Sequence, residues 1–499
     1  MNMIFSRRYT LLAGIALGSG LLLPPCAALA APPQTLTQAL VDAYNNNATL
    51  QAQRAALRAA DEGVPAALSG WRPTVQLTGT EGRINSNVTL PISGTNLTTT
   101  QHEHYAQTIG QAIVTQPIYS GGKVIASTRE AKNAVYAARA QLLATEQTVF
   151  LDVVNAYVTV ITDTHVLALD KSNQDVLAQQ LKATQEQFNL GEITMTSVAQ
   201  AQASLAQAKE QVEVADGNLQ IANENFRKLV GEYPGQLAPP QPLSLPVSSK
   251  EEAAAAAVAN NPNVVAAKFS DAANKDAVDV AFSALLPQVS VQASAFSETG
   301  YSGQHSKMTG GEVLGQLTVP LYQGGSEYSG IRQARAKEQQ SFASILDAQR
   351  TAYGQATQAW VGLIASRDAI VSTNAEIKAN AIALDGTERE ELVGTRTTLD
   401  VLNAQQLLLN SQVQQVQNIA TLVNNSYQVA EAIGRLTATD LALPVTQYDD
   451  LKYYNAVKYA GFGTGETADR RAGVANNGTL LDANETSVIA DEPPKTPMP

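Results

Sequence analysis

The sequence predicts a mainly α-helical protein that also carries a transmembrane β-barrel, built from a duplicated helix–strand–strand–long helix–helix unit. Three observations predict this. The chain repeats itself: Asn46-Asn47 is answered by Asn260-Asn261 and Pro73 by Pro287 at an offset of 214, then Pro117-Ile118-Tyr119 by Pro320-Leu321-Tyr322, Gly191 by Gly394 and Gly231 by Gly434 at an offset of 203. Each copy holds a Pro-marked pair of segments with period-2 alternation, the mark of a strand with one apolar face. Each copy then runs without proline, from Pro117 to Pro234 and from Pro320 to Pro444, far enough for very long helices. A repeat this long is a duplicated domain, not a short solenoid unit.

Residues 1–30 read as a secretory signal: Arg7 and Arg8 precede the apolar run Leu11 to Leu23, and Ala28-Leu29-Ala30 is a small-residue cleavage site. Its removal leaves 31 basic against 45 acidic residues and takes away Cys26, the only cysteine. Leu23 stands where a lipoprotein signal would have it, but Pro24 and Pro25 fill positions that usually hold small flexible residues, so simple export is the preferred reading. At 499 residues a globular chain would hold two to four domains. A pI near 4.9 excludes a basic nucleic-acid surface, and the charged fraction of 16% is low, with Ala, Gln, Asn, Ser and Thr in its place.

The first copy covers 31–231. A moderate helical segment is followed by strands at about 73–83 and 105–116, with Val75 and Leu77 outgoing and Ile109 and Ile113 returning as the apolar positions. The Thr/Asn/Gly-rich stretch 80–104 between them reads as an exposed loop. A long helix over 123–190 would span ~100 Å at 1.5 Å per residue. Gly191 and a short turn lead to a returning helix, 196–231. Its Val198, Leu205, Val212, Leu219 and Phe226 recur every seven residues, with Ala201, Ala208, Ala215 and Ala222 three positions after the first four. This is the a/d seam of a coiled coil, and alanine at d brings the helices close. On the long helix Val153, Val160, Leu167, Leu181 and Phe188 share a heptad, interrupted by Gln174; these stripes read as core packing and hold no cofactor box.

Residues 232–249 link the copies. The second copy, 250–439, repeats the order with strands at about 287–296 and 312–320, a long helix over 326–393 and a returning helix over 399–437. Residues 440–465 form a further segment, and 466–499, rich in Gly, Asn, Thr, Asp and Pro without periodicity, reads as a disordered tail.

Four strands cannot close a barrel, and an open strand edge cannot sit in lipid with its backbone groups unpaired. Eight strands from two chains would fill their interior with side chains, whereas twelve from three chains leave a lumen. Strands of 9–11 residues suit a tilted outer-membrane barrel. The helices are too long for the same layer and must project from it as a tube. The repeat alone thus suggests a homo-oligomeric strand barrel continued by a helical barrel.

At this point the chain resembles the TolC family of outer-membrane efflux channels. The resemblance rests on Leu392-Val393-Gly394-Thr395-Arg396-Thr397-Thr398-Leu399-Asp400-Val401-Leu402, on its first-copy partner Leu190 to Val198, on the Pro-x-Tyr-x-Gly-Gly motifs at Pro117 and Pro320, and on the Tyr448 to Lys458 segment. It covers about 35–465. It implies a trimer in the outer membrane of a Gram-negative bacterium, with an α-helical barrel crossing the periplasm and an equatorial belt to which 232–249 and 440–465 contribute. It implies partners as well: a periplasmic adaptor docking its helical hairpins at the tip turns, and an inner-membrane pump of RND, ABC or MFS type. The docking residues it assigns are Gly191, Thr194, Ser197, Gly394, Thr395, Arg396 and Thr397, although each glycine also suits a plain helix C-cap.

For the gate, the resemblance assigns Asp400, Asn403, Glu391 and Arg396. Here the chain departs from the family pattern. Asn403 stands where a second acid is often found, Ser197 where an acid would pair with Arg396, and Glu391 where a tyrosine can gate. Asp400 is then the candidate for a cation-attracting ring, and Glu391–Arg396 a candidate ion pair.

Two other classes compete. An enzyme needs convergent acid, base or nucleophile groups. The one cluster with metal-ligand flavour is His102-x-His104, in the Thr/Gly-rich stretch, and no His-Glu-x-x-His or phosphate-cradling motif accompanies it. No cofactor is expected. An exported coiled-coil structural or adhesin-like surface protein would explain the helices but not the strand pairs.

Overall fold

A computed structural model of the chain describes residues 35–300 and 306–464; residues 1–30 with Cys26, read above as a signal, and 466–499, read as a tail, lie outside the described residues. The element order is duplicated. The first copy holds α1 (Leu36–Asn46), α2 (Ala48–Asp61), α3 (Gly63–Leu68), β1 (Thr74–Pro91), β2 (Thr98–Ser120), α4 (Lys123–Asn189) and α5 (Met195–Val230). The second holds α6 (Lys250–Asn260), α7 (Pro262–Phe282), β3 (Gln288–Thr299), β4 (Lys307–Thr318), α8 (Ser326–Leu392) and α9 (Thr398–Ala432), followed by α10 (Lys452–Val457).

The asparagine pairs that reveal the repeat have a physical reason. Asn47 separates α1 from α2: its side-chain oxygen accepts the Thr49 and Leu50 amides, capping α2, while its Nδ2 donates to the Leu229 carbonyl at 3.0 Å, near the end of α5. Asn261 does the same 214 residues on, capping α7 through the Asn263 amide and donating to the Ala432 carbonyl at 3.1 Å. One residue type starts a helix and anchors the end of the returning one. Such a cap contributes about 1 kcal/mol.

The main core lies where α1, α2, α4, α5 and α9 meet, around the fully buried Leu50, Leu57, Phe150, Tyr157 and Phe226. The inter-repeat segment is tied to it by the Tyr157 hydroxyl, which donates to the Ala238 carbonyl at 2.7 Å, and by the Leu243 amide, which donates to Ser426 Oγ at 2.9 Å. The segment after α9 is pinned along the first copy. Arg139 pairs with Asp450 at 3.3 Å, Tyr453 donates to Glu62 at 2.8 Å, and Arg72 donates to the Ala460 carbonyl at 2.6 Å.

The four strands make one antiparallel sheet in the order β1-β2-β3-β4, so β1 and β4 are its edges. The expected loop over 80–104 is largely strand: β1 and β2 pair without a break from Thr74↔Thr115 to Pro91↔Thr98, leaving only 92–97 as the turn. The first hairpin thus runs well past the β3–β4 hairpin, whose last pairs with β2 are at Thr108↔Thr299. A two-stranded ribbon with both faces in water has no apolar alternation to reveal it; its Thr-rich strands fit β geometry, and its ladder needs only backbone.

Register also corrects the apolar positions of β2. Residues directly opposite in an antiparallel pair share a face. Val75 opposes Val114 and Leu77 opposes Ala112, whereas Ile113 opposes Gln76 and Ile109 opposes Thr80. Ala112 and Val114, not the two isoleucines, therefore continue the Val75–Leu77 face.

The long helices pack as two hairpins, α4 with α5 and α8 with α9. On α5 the alanine row Ala201, Ala208, Ala215 and Ala222 is buried, as the heptad predicts. On α4 the seam shifts. Val153, Val160 and Leu167 are buried, but Leu181 is only half buried and Phe188 is exposed; Asp170, Leu177 and Thr184 take over. The proximal half of α4 faces the core, while its distal half meets mainly α5, where Leu177 packs on Ala208.

The second hairpin closes on polar side chains instead. Ser366 Oγ accepts from Asn425 Nδ2 at 2.9 Å, Thr373 Oγ1 accepts from Asn418 Nδ2 at 2.9 Å, and Asn380 Nδ2 contacts Ser411 Oγ at 3.3 Å. Both sides step by seven residues in opposite directions, so this is a ladder along an antiparallel coiled coil. Each rung is satisfied only in this register, which specifies pairing more sharply than a uniform alanine seam would.

Candidate functional site

Two surfaces carry the functional reading: the face of the sheet and the turns at the far ends of the hairpins. The face containing Val75, Leu77, Ala112 and Val114 continues through Ala293 and Ala295 of β3 to Val313 and Leu317 of β4. Val75 is 74% and Leu77 82% exposed. The opposite face carries Gln76, Thr78, Gln111, Gln292, Ser294 and Glu312, interrupted by Ile113, Phe296 and Leu314. Trp71, Tyr119 and Tyr322 are exposed at the helix end of the sheet. An apolar band with aromatics at its border and a mostly polar reverse is what a lipid-embedded, water-lined barrel requires. No helix among the described residues is long and apolar enough to cross a membrane.

Strand joins helix at Gly121-Gly122, both with positive φ (62° and 81°), where a Cβ on Gly121 would stand 2.7 Å from the Ser283 carbonyl oxygen. The second copy turns the same way at Gly324-Gly325.

The α4–α5 turn ends its helix at Gly191, φ 77°. The Gly191 amide donates to the Phe188 carbonyl at 2.9 Å and the Glu192 amide to the Gln187 carbonyl at 3.0 Å. The α8–α9 turn repeats this at Gly394, φ 79°: Gly394 donates to Glu391 at 2.8 Å and Thr395 to Glu390 at 3.0 Å. Both are Schellman caps, which need a left-handed residue at the glycine position. A Cβ on either glycine would meet nothing within 4 Å, so backbone conformation selects glycine here and the surface around it is open.

The two turns differ beyond the glycine. Thr397 and Asp400 form a capping box: the Asp400 amide donates to Thr397 Oγ1 at 3.3 Å, and Asp400 Oδ2 accepts from the Thr397 amide at 3.0 Å and hydroxyl at 2.9 Å. Those hydrogen bonds, with the nearby Arg396, hold the Asp400 carboxyl below the usual carboxylate range. Arg396 pairs with Glu390 at 3.0 Å, not with Glu391. Glu390 lies one residue earlier, and its carbonyl already accepts Thr395, so it sits across the turn from Arg396. In the first copy Thr194 caps α5 without a side-chain bond, and Ser197 stands where Asp400 does. Gly191, Thr194, Gly394, Thr395, Arg396 and Thr397 are exposed; Ser197, Glu391 and Asp400 are half buried. Asn403 is exposed on the first turns of α9. Glu390 was missed in the sequence because the glycine turn reverses the chain, and spacing alone does not tell which of two adjacent glutamates faces Arg396.

His102 and His104 lie on β2, well beyond the shared sheet. His102 contacts Asn87 across the ribbon, and no group of three or more metal-ligating side chains occurs among the described residues.

The sequence matches the outer membrane efflux protein family over residues 39–232 and 254–435, one match per copy. It is 33% identical to the outer membrane efflux protein BepC of Brucella suis over 461 residues, 92% of this chain and 98% of that one. It is 26% identical to the outer membrane protein TolC of Escherichia coli over 325 residues, 59% of this chain and 63% of that one. In fold it is similar to the CmeC outer membrane channel of Campylobacter jejuni, with a TM-score of 0.71, 17% identity and 90% of each chain covered. The chain belongs to the outer membrane efflux protein family: it is a channel of the Gram-negative outer membrane that extends into the periplasm.

Proposed function

We propose that three copies of this chain close a twelve-stranded barrel and a continuous helical tube, which together form the exit duct of a tripartite export system. The observation that carries the reading is the sheet: one face is apolar and exposed, the other mostly polar, and both edges, β1 and β4, are unpaired among the described residues. Only pairing with further copies satisfies those edges in lipid. The duct is non-catalytic; it supplies a wetted wall and a gate, and energy comes from a pump of RND, ABC or MFS type.

The tip turns are the proposed docking points for the hairpins of a periplasmic adaptor, through Gly191, Thr194, Ser197, Gly394, Thr395, Arg396 and Thr397. Open glycine turns flanked by small hydroxyl side chains let a partner helix approach closely. Asp400, Asn403, Glu391 and Arg396 are the proposed gate and selectivity residues, with Glu390 added as the residue that holds Arg396.

A photo-crosslinker placed at Thr395 in whole cells should capture a periplasmic protein with a helical hairpin, and a bulky Ser197→Trp substitution should reduce that capture about tenfold without loss of the oligomer. Crosslinks confined to other copies of this chain would contradict docking at the tip.

A further inference from the structure

About 30 Å from the tip turns along the helices, at 1.5 Å per residue from Gly191 to Asp170, a cleft of 440 Å³ opens between the first hairpin and α9. Asp170 of α4, Glu210 and Asn218 of α5, and Gln406, Asn410 and Gln414 of α9 contribute its polar lining, and neither lysine nor arginine lines it. Asp170 is 8% exposed. It sits on the α4–α5 seam, where Ala215, also in the cleft wall, offers it no donor. Among the described residues no hydrogen bond or ion pair reaches its carboxylate, and burial alone pushes its carboxyl up.

Another buried acid shows the contrast. Asp271 is held by Ser341 Oγ at 2.9 Å and Lys275 Nζ at 2.6 Å. A buried carboxylate with no such partner costs several kcal/mol as an ion. Asp170 lacks such partners, and what balances its charge is a proton, cleft water or a cation that the chain does not itself supply.

The chemistry of the cleft selects between these. Carboxylate, carboxamide and water oxygens are the donor set of a hard cation, and the lining has no His, Cys or Met to favour a soft one. At ~30 Å³ per water molecule, the cleft has room for an ion with part of its hydration shell. Calcium tolerates an irregular set of six to eight oxygens, whereas magnesium demands a tighter octahedron. We infer that this cleft is a Ca²⁺ site in which Asp170 and Glu210 supply the charge and carboxamide oxygens of α5 and α9 complete the shell. Ion binding there ties the first hairpin to α9 well away from the Asp400 turn.

The test uses the full-length protein in detergent, in an Asp400→Asn background that silences the tip. Equilibrium dialysis with ⁴⁵Ca²⁺ should show one ion per chain, half-saturating at about 10⁻⁴–10⁻³ M, the range of extracellular calcium modules. Asp170→Asn, which keeps the side-chain shape, should weaken binding at least tenfold, and Glu210→Gln should weaken it less. Millimolar Ca²⁺ should raise the thermal midpoint of the parent and not of Asp170→Asn. Equal binding by parent and Asp170→Asn would overturn the assignment. So would a parent that binds no Ca²⁺ below 10 mM and gains more stability than Asp170→Asn when the pH is lowered, since a proton would then be the neutralising partner.

Discussion

Replacing Asp61 by Asn should flatten the pH dependence of stability between pH 5 and pH 8. Asp61 ends α2, is 1% exposed, and neither carboxylate oxygen has a hydrogen-bond partner among the described residues. Burial pushes its pKa up to about 7; Arg139 opposes that shift, while Asp450 and Glu62 add to it. A carboxyl whose folded pKa is raised binds more protons when folded than when unfolded. Stability therefore falls as pH rises from about 4 to about 7, and the cost is full above 7. Integrated over that window the linkage is on the order of 4 kcal/mol. The readout is the difference between thermal midpoints at pH 5 and pH 8, because any constant cost of burying an amide cancels. A residual slope should remain from Glu431, raised to about 7 by its own burial and by Asp152. An Asp61→Asn protein that loses as much stability from pH 5 to pH 8 as the parent would show that Asp61 is ionised in the fold.

Replacing Asp400 by Asn should weaken block of the reconstituted channel by a trivalent cation, added from the periplasmic side at low salt, by at least ~10-fold. In the proposed closed trimer three such carboxylates would meet at one mouth, where a narrow low-dielectric opening would focus their field. Asparagine is chosen over alanine because Asp400 also completes the capping box with Thr397, and alanine would lose both the charge and the cap. The Arg396–Glu390 pair should persist in this variant, which leaves the missing charge as the variable. Unchanged block would remove Asp400 from the mouth.

What was legible in the sequence follows from what leaves a periodic trace. The helix hairpins and the β3–β4 pair were legible because Ala201–Ala222 and Val289–Ala295 keep strict periods against a buried or lipid-facing surface. The outer part of the first hairpin was hidden because an exposed ribbon, held by its backbone ladder and by polar pairs such as Thr89–Thr100, carries no apolar alternation. The positions of Ile109 and Ile113 show a related limit: strand register is a pairing property, and one residue of slip exchanges faces. The α8–α9 ladder escaped notice because Ser, Thr and Asn at core heptad positions look like breaks in a stripe until their partners are known. At the tip, Gly191, Gly394 and Asp400 were visible as a motif. The Glu390–Arg396 pair needed the turn geometry.

Three-fold closure through β1 and β4 is the central claim, and a chain whose single cysteine, Cys26, can be replaced by serine allows it to be measured directly. One cysteine at Gln76 on β1, combined in turn with one at each position from 309 to 315 on β4, tests every register within reach. At the correct register, oxidised membranes should give a denaturing-gel ladder of one, two and three chains that stops at three. A ladder that stops at two, continues past three, or never forms at any register would contradict a closed twelve-stranded barrel.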